Sequence, residues 1–164
     1  MKRVSLNHIS IVVLALILII VVVSVLYSNY IAHQLAEEEH KKIELWAEAT
    51  RQFILAEEDD NIDFLLRVME GNTTIPVYMV DADYNLLLSR NVQEPKHDVE
   101  DFYAEKIKYL RETQEPIEVR ISNDIVQYIY FEDSNILHNL YYFPFIQFSV
   151  ILAFIAIAVI TLLI

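Results

Sequence analysis

From Phe143 to Ile164 the chain reads FPFIQFSVILAFIAIAVITLLI, without one charged residue. A helix needs about 20 such residues to cross the hydrocarbon core of a bilayer. The run is still apolar at Ile164, with no Lys, Arg or polar cap closing it. The expectation is therefore a membrane span whose polypeptide continues on the far side, with any chemistry carried by that continuation.

Working back from that span, a second apolar run extends from Ile9 to Leu26, broken only by Ser10 and Ser24 and preceded by Lys2 and Arg3. A cleaved signal peptide also begins basic and then apolar. This run is long, and Ser24-Val-Leu-Tyr-Ser-Asn-Tyr30 offers no small-x-small cleavage site, so an uncleaved signal anchor is the better reading. The positive-inside bias puts Lys2 and Arg3 in the cytoplasm and the stretch between the runs outside. Tyr27, Tyr30, Tyr141 and Tyr142 sit where an interfacial aromatic belt is expected. The division that follows is a cytoplasmic N-terminus over 1–8, a first span over 9–27, an extracytoplasmic domain over 28–142 and a second span over 143–164.

Hydrophobic residues make up 55% of the chain and mean hydropathy is +0.32, an excess over ordinary soluble domains that sits in the two runs. What lies between them is long enough for one small domain with its own core. All 24 acidic residues and ten of the 12 basic ones fall there, a formal balance of −14. Such a surface repels nucleic acid and anionic head groups. With no cysteine there is no disulfide framework, Cys-based zinc site or thiol nucleophile.

Ser28 to about Ala56 has no Gly or Pro, so the first helix is expected to leave the membrane unbroken. Ile31, Leu35, Ile43, Trp46, Thr50, Phe53 and Ile54 form one stripe at helical spacing, to be buried on the domain, on a second copy, or on both. Glu57 to Asp60 reads as a solvated acidic joint. A short helix over Ile62–Glu70 ends at Gly71, the only glycine. Asn72-Thr73-Thr74 matches a glycosylation sequon but is read as a loop. From Ile75 the period changes: Ile75–Val80 and Leu86–Val92 read as a hairpin across Asp81–Asn85. Gln93–His97 is a polar loop, and Val99–Gln114 is a helix facing inward with Phe102, Ile107 (or Lys106) and Leu110. After Pro116, Ile117–Ser122 and Ile125–Phe131 form a second hairpin across Asn123–Asp124. Ser134 caps a final amphipathic segment, Asn135–Tyr142, that runs into the second span. The expected fold class is α+β: an antiparallel sheet backed by helices, with a long N-terminal helix, between two spans. It is the arrangement of PAS-like (Cache-like) extracytoplasmic domains.

Few residues point to chemistry. Asp81-x-Asp83-x-Asn85 starts like a calcium loop, but Leu86 and Val92 occupy the positions that need glycine and glutamate. His33 and His40 are seven apart, about 10 Å along a helix, too far to share a metal. No metal site is expected. His40-Lys-Lys-Ile-Glu44 lacks the proline-containing motif of a phosphoacceptor helix. One glycine cannot build a phosphate loop, and no catalytic residue is expected in this stretch. On the sheet, Ile117, Val119, Ile121, Ile125, Gln127, Ile129 and Phe131 alternate onto one face, with Glu118, Arg120, Tyr128 and Tyr130 on the other. Tyr78, Arg90, Arg120, Tyr128 and Tyr130 are the candidates for a small-molecule site, and ordinary half-exposed sheet residues are the competing reading.

Tyr130-Phe-Glu-Asp-Ser-Asn-Ile-Leu-His-Asn-Leu-Tyr-Tyr-Phe-Pro-Phe-Ile-Gln147 resembles the junction before the second span in membrane histidine kinases of Bacteroidetes-type bacteria. Asn72–Asp81 and Ser89-Arg-Asn91 resemble their sensor hairpin. Phe131-Glu132 departs from the Tyr-Gly pair usual at that turn. The resemblance implies a two-component sensor histidine kinase of the bacterial inner membrane, with both termini cytoplasmic, the domain in the periplasm, and homodimeric. It implies a kinase domain beyond Ile164 using ATP and Mg, a response regulator as partner of that domain, and no cofactor in this stretch. The extracytoplasmic signal would be a small molecule or protein, relayed through Ser134, Leu137, Leu140 and Pro144. A two-span receptor with another output, or an envelope scaffold, is the alternative.

Overall fold

The computed structural model describes residues 2–57, 62–122 and 124–163, with side chains over 15–57, 62–122, 124–156 and at 160. The chain order is α1 (Lys2–Leu55), α2 (Asp63–Glu70), β1 (Val77–Val80), β2 (Leu86–Arg90), α3 (Val99–Thr113), β3 (Ile117–Arg120), β4 (Val126–Phe131) and α4 (Asn135–Leu163). The class is α+β, with one antiparallel sheet in the order β2-β1-β4-β3. The chain divides into two compact units, Ala36–Asn135 and the pair of segments Met1–Leu35 with Ile136–Ile164.

In the unit Ala36–Asn135 the sheet is covered on both faces. Strand alternation sends Val77 and Met79 of β1, Val119 of β3 and Ile129 of β4 to one side, where they bury Ile43, Trp46 and Ala47 of α1. Tyr78, Val80 and Tyr130 point to the other side and bury Tyr103, Ile107 and Leu110 of α3. The Trp46 indole donates to the Met69 carbonyl at 3.1 Å, which ties α2 to α1.

Several boundaries and faces differ from expectation. The stripe on α1 is buried at Ile43, Trp46 and Thr50, but Phe53 and Ile54 are 37% and 41% exposed. They keep the stripe's direction but find no core partner, since the cluster's last α1 member is Ala47. On α3 Phe102 packs against the core as expected, and Tyr103 is buried beside it, its hydroxyl meeting Ser89 at 2.8 Å and donating to Glu94 at 2.6 Å. Gly71 does cap α2, yet with φ −63° and ψ −20°, a right-handed conformation open to any residue. The left-handed positions belong to Tyr84, Asn91 and Asp98.

The two loops with motif-like sequences are structural. Asp81 Oδ1 accepts the backbone N–H of Asp83 and Asn85, at 2.9 and 2.8 Å, and Oδ2 accepts the Asn85 amide at 2.8 Å. These bonds, that from the Asn85 side chain foremost, hold the Asp81 carboxyl below its ordinary pKa. Its oxygens are spent on the turn. Asn72, the sequon residue, is buried and its side-chain nitrogen donates to the Ile75 carbonyl at 2.9 Å, which agrees with the loop reading. Glu58, Asp59 and Asp60 of the joint, and Asn123 of the second turn, lie outside the described residues.

Two helical segments, Ala15–Leu55 and Asn135–Ala156, are long and apolar enough to cross a membrane. Proline at 144 inside α4 has no N–H to offer the Leu140 carbonyl four residues back. The Ser28 hydroxyl donates to that carbonyl instead, at 3.4 Å. One turn earlier on α1, Ser24 donates to Gln147 Oε1 at 2.8 Å. Away from water such bonds are the available partners for polar groups.

Candidate functional site

The link between β4 and α4 is three residues long, Glu132-Asp133-Ser134, and three other elements hold it and the Phe131 that precedes it. The Glu132 N–H donates to the Pro76 carbonyl at 3.0 Å, just before β1. The Glu132 carboxylate accepts the Tyr78 hydroxyl at 2.6 Å and Lys106 Nζ at 2.9 Å. The Phe131 carbonyl accepts the Gln114 side-chain amide at 2.9 Å. Ser134 donates its N–H to Glu39 Oε2 at 3.0 Å and its hydroxyl to Glu39 Oε1. Thus β1, α3 and α1 all grip the segment that leads into α4.

Burial gives these bonds their weight. Glu39 is 4% and Ser134 1% exposed. A buried carboxylate is costly unless hydrogen-bonded, and bonds to a charged group contribute about 1.5–3 kcal/mol. Among the described residues Glu39 has no basic side chain against it, so the two Ser134 donors are its compensation. Tyr78 is 1% exposed. Burial first, then its bond to anionic Glu132, raise its phenol pKa far above the ordinary value, so Tyr78 is a fixed neutral donor. Lys106 places a positive charge on the far oxygen of the same carboxylate. Tyr103 is likewise pushed up, by burial and then by Glu94, with Ser89 opposing.

The expected ligand residues do not converge. Tyr78, Tyr128 and Tyr130 share the α3-side face, with Tyr78 and Tyr130 buried in the core. Arg120 is on that side too, but at the rim, paired with Glu118 at 3.6 Å. Arg90 is on the opposite face, because it pairs with Val77. The cause is a register shift between Met79 and Val80, where Leu87 is the unpaired extra residue. A one-residue slip turns every later side chain over. Arg90 there donates to the Asn72 and Glu70 carbonyls, at 2.9 and 3.3 Å, and secures the loop before β1.

Of the expected relay residues, Ser134 is the one in the gripped link. Leu137, fully buried, Leu140 and Pro144 belong to α4 in the other unit. Glu39, Lys106, Gln114 and Glu132 were missing from the expected set. Glu39 had a signal: with Ile43, Trp46 and Thr50 it falls at spacings of 4, 3 and 4, so a carboxylate occupies a core position of the stripe.

Comparison with models of known protein families, with curated proteins and with solved structures finds no match to this chain.

Proposed function

We propose that this chain is the sensing and transmembrane relay portion of a two-component sensor histidine kinase, with its ATP- and Mg-dependent kinase domain beyond Ile164. In this reading the unit Ala36–Asn135 is a PAS-like periplasmic sensor, and both termini lie in the cytoplasm of a bacterium. The protein works as a homodimer in the inner membrane and hands phosphate to a response regulator. The observation that carries the proposal is the gripped link. A disturbance of α3, of β1 or of α1 alters a hydrogen bond to Phe131–Ser134, and that segment leads directly into an apolar helix. The two apolar helices, the basic start at Lys2 and Arg3, and the antiparallel sheet between helices support the same reading.

The mechanism is a shift between two packings of the link. A signal moves the balance only by binding one of them better. Ile43 and Trp46 of the α1 stripe are spent on the sheet, while Phe53 and Ile54 remain exposed.

The test begins with the reading frame past Ile164, where a phosphoacceptor helix and Asn- and Gly-rich ATP-binding boxes are expected. Membrane vesicles carrying the whole product should then form acid-labile phosphohistidine with Mg-ATP. Glu39→Gln, which weakens the grip of α1 on Ser134, should change that basal level several-fold. A stop codon after Ile164, or a different output domain, overturns the kinase reading. An unchanged phosphorylation level in folded Glu39→Gln overturns the role of the link.

A further inference from the structure

The α3-side face treats its tyrosines in two ways. Tyr78 and Tyr103 give their hydroxyls to carboxylates of the chain itself, Glu132 and Glu94, at 2.6 Å each. On the same face Tyr84 and Tyr128 are half-buried, beside the buried Tyr130. Among the described residues none of their three hydroxyls has a hydrogen-bond partner. Tyr84 stacks on Tyr128, with ring centroids 6.0 Å apart and planes 13° from parallel. The Arg111 guanidinium lies over the Tyr84 ring, 4.4 Å from its centroid. Tyr130 is two residues along β4 from Tyr128, on the same face and in the same cluster. Burial first raises its phenol pKa, Tyr84 and Tyr128 add to the shift, and Arg111 opposes it. Tyr84, Tyr128, Tyr130 and Arg111 are thus joined through ring contacts and one cluster on this face.

Arg111 has no carboxylate partner among the described residues, although the domain is strongly acidic. Arg111 is exposed, and a guanidinium presents its N–H donors along the edge of its plane. Such an edge matches a carboxylate in two parallel bonds, and lysine cannot reproduce that. Tyr84 is held in the left-handed region, φ 65°, by the Asp81 turn. A non-glycine residue seldom adopts that conformation, and there the ring contacts both Arg111 and Tyr128. We infer that Arg111, with the hydroxyls of Tyr84, Tyr128 and Tyr130, forms a binding site for a small organic monocarboxylate. The −14 of the surrounding domain selects against phosphates and other polyanions. The aromatic stack favours a planar body next to the carboxylate. This deepens the sensor reading by naming the chemical class of its signal, and it rests on that reading only for its biological meaning. The competing role for Arg111 is structural, since a cation in the last turn of α3 also complements the helix dipole.

The test uses the full chain in nanodiscs of zwitterionic lipid, with ring-labelled tyrosine observed by NMR. Sodium benzoate and sodium acetate are the probes, sodium chloride at matched ionic strength and inorganic phosphate the comparisons. Benzoate should shift three tyrosine resonances saturably, with a dissociation constant of about a millimolar, and acetate the same three more weakly. Arg111→Gln should weaken benzoate about tenfold or more, Arg111→Lys several-fold, and Tyr128→Phe, which keeps the stacked ring, about threefold. Trp46 fluorescence reports whether each variant is folded, and the lysine and phenylalanine variants decide the matter if Arg111→Gln is not. The inference is overturned by an absence of saturable shifts, by equal shifts with chloride, or by equal affinity in folded Arg111→Lys. Phosphate binding as tightly as benzoate overturns the carboxylate class. None of these results bears on whether a kinase follows Ile164, and a stop codon there would leave the binding result standing.

Discussion

The two faces of the sheet are built from different materials. The face against α1 is aliphatic around one indole: Ile43, Trp46, Ala47, Val77, Met79, Val119 and Ile129. The face against α3 is aromatic and hydroxylated, with Tyr78, Tyr103 and Tyr130 at its centre and the Glu132–Lys106 pair beside it. An aliphatic layer gains stability through area removed from water and close contact. A tyrosine layer gains the same area but must also place each hydroxyl. The first face is a fastener. The second holds polar groups that depend on particular partners, which is what the proposed sensing role would use. The largest losses of stability should therefore come from the α1 face, and the largest changes of state from the α3 face.

The comparison would break first at Ile43. Its side chain is fully buried, and Ile43→Ala should cost about 2–5 kcal/mol. Trp46, the single tryptophan, reports unfolding of this unit by fluorescence in urea. A loss under about 1 kcal/mol would mean that the α1 face is not the fastener.

Next in size are the grips on the link. Glu39→Ala removes the carboxylate that accepts from the Ser134 N–H and hydroxyl, at a cost of about 1–3 kcal/mol. Ser134→Ala removes one donor and leaves the carboxylate with the other. The double variant should cost less than the two single changes together, because the residues share one interaction. Strict additivity in urea denaturation would show that Glu39 and Ser134 are not coupled.

How much of this was legible in sequence divides along the same line. The aliphatic face follows from period alone: 3.6 on α1 and 2 on the strands. The sheet and its two hairpins could be read because Asp81–Asn85 and the segment around Asp124 carry turn residues. The face that Arg90 joins is one that period cannot reveal, since one bulged residue in β2 inverts it. The Tyr78–Glu132–Lys106 and Glu39–Ser134 contacts join residues 26 to 95 positions apart. Such contacts depend on how helices dock on the sheet. Only Glu39, a carboxylate in an apolar stripe, announced itself.

A smaller effect sharpens the contrast through pH. Tyr78, Tyr103 and Tyr130 all have phenols raised above their ordinary value, chiefly by burial. The unfolded chain therefore loses those protons first. Stability is constant in this respect below about pH 10, the ordinary tyrosine value, and falls as pH rises beyond it. The slope is at most about 1.4 kcal/mol per pH unit for each tyrosine that ionises only when unfolded. Tyr78→Phe should cost about 1 kcal/mol at neutral pH and make the alkaline decline shallower. An unchanged slope between about pH 9 and 11 would remove Tyr78 from the groups that fold neutral.

The smallest effect belongs to the rim, where the α3 face meets solvent. Arg120 and Glu118 are 3.6 Å apart with side chains 69% and 57% exposed. Such a pair gains little Coulomb energy in water and gives up side-chain freedom to form, so Arg120→Ala should change stability by less than about 0.5 kcal/mol. It should also leave the benzoate response of Tyr84, Tyr128 and Tyr130 intact, since Arg111 rather than Arg120 lies over the Tyr84 ring. Arg120 and Arg111 carry equal charge within one acidic domain, so a general loss of positive charge would affect binding alike in both variants. A difference between them locates the effect in the geometry of the stack. Equal losses would reduce the α3 face to a charged surface, and the distinction between the two faces would then be one of stability alone.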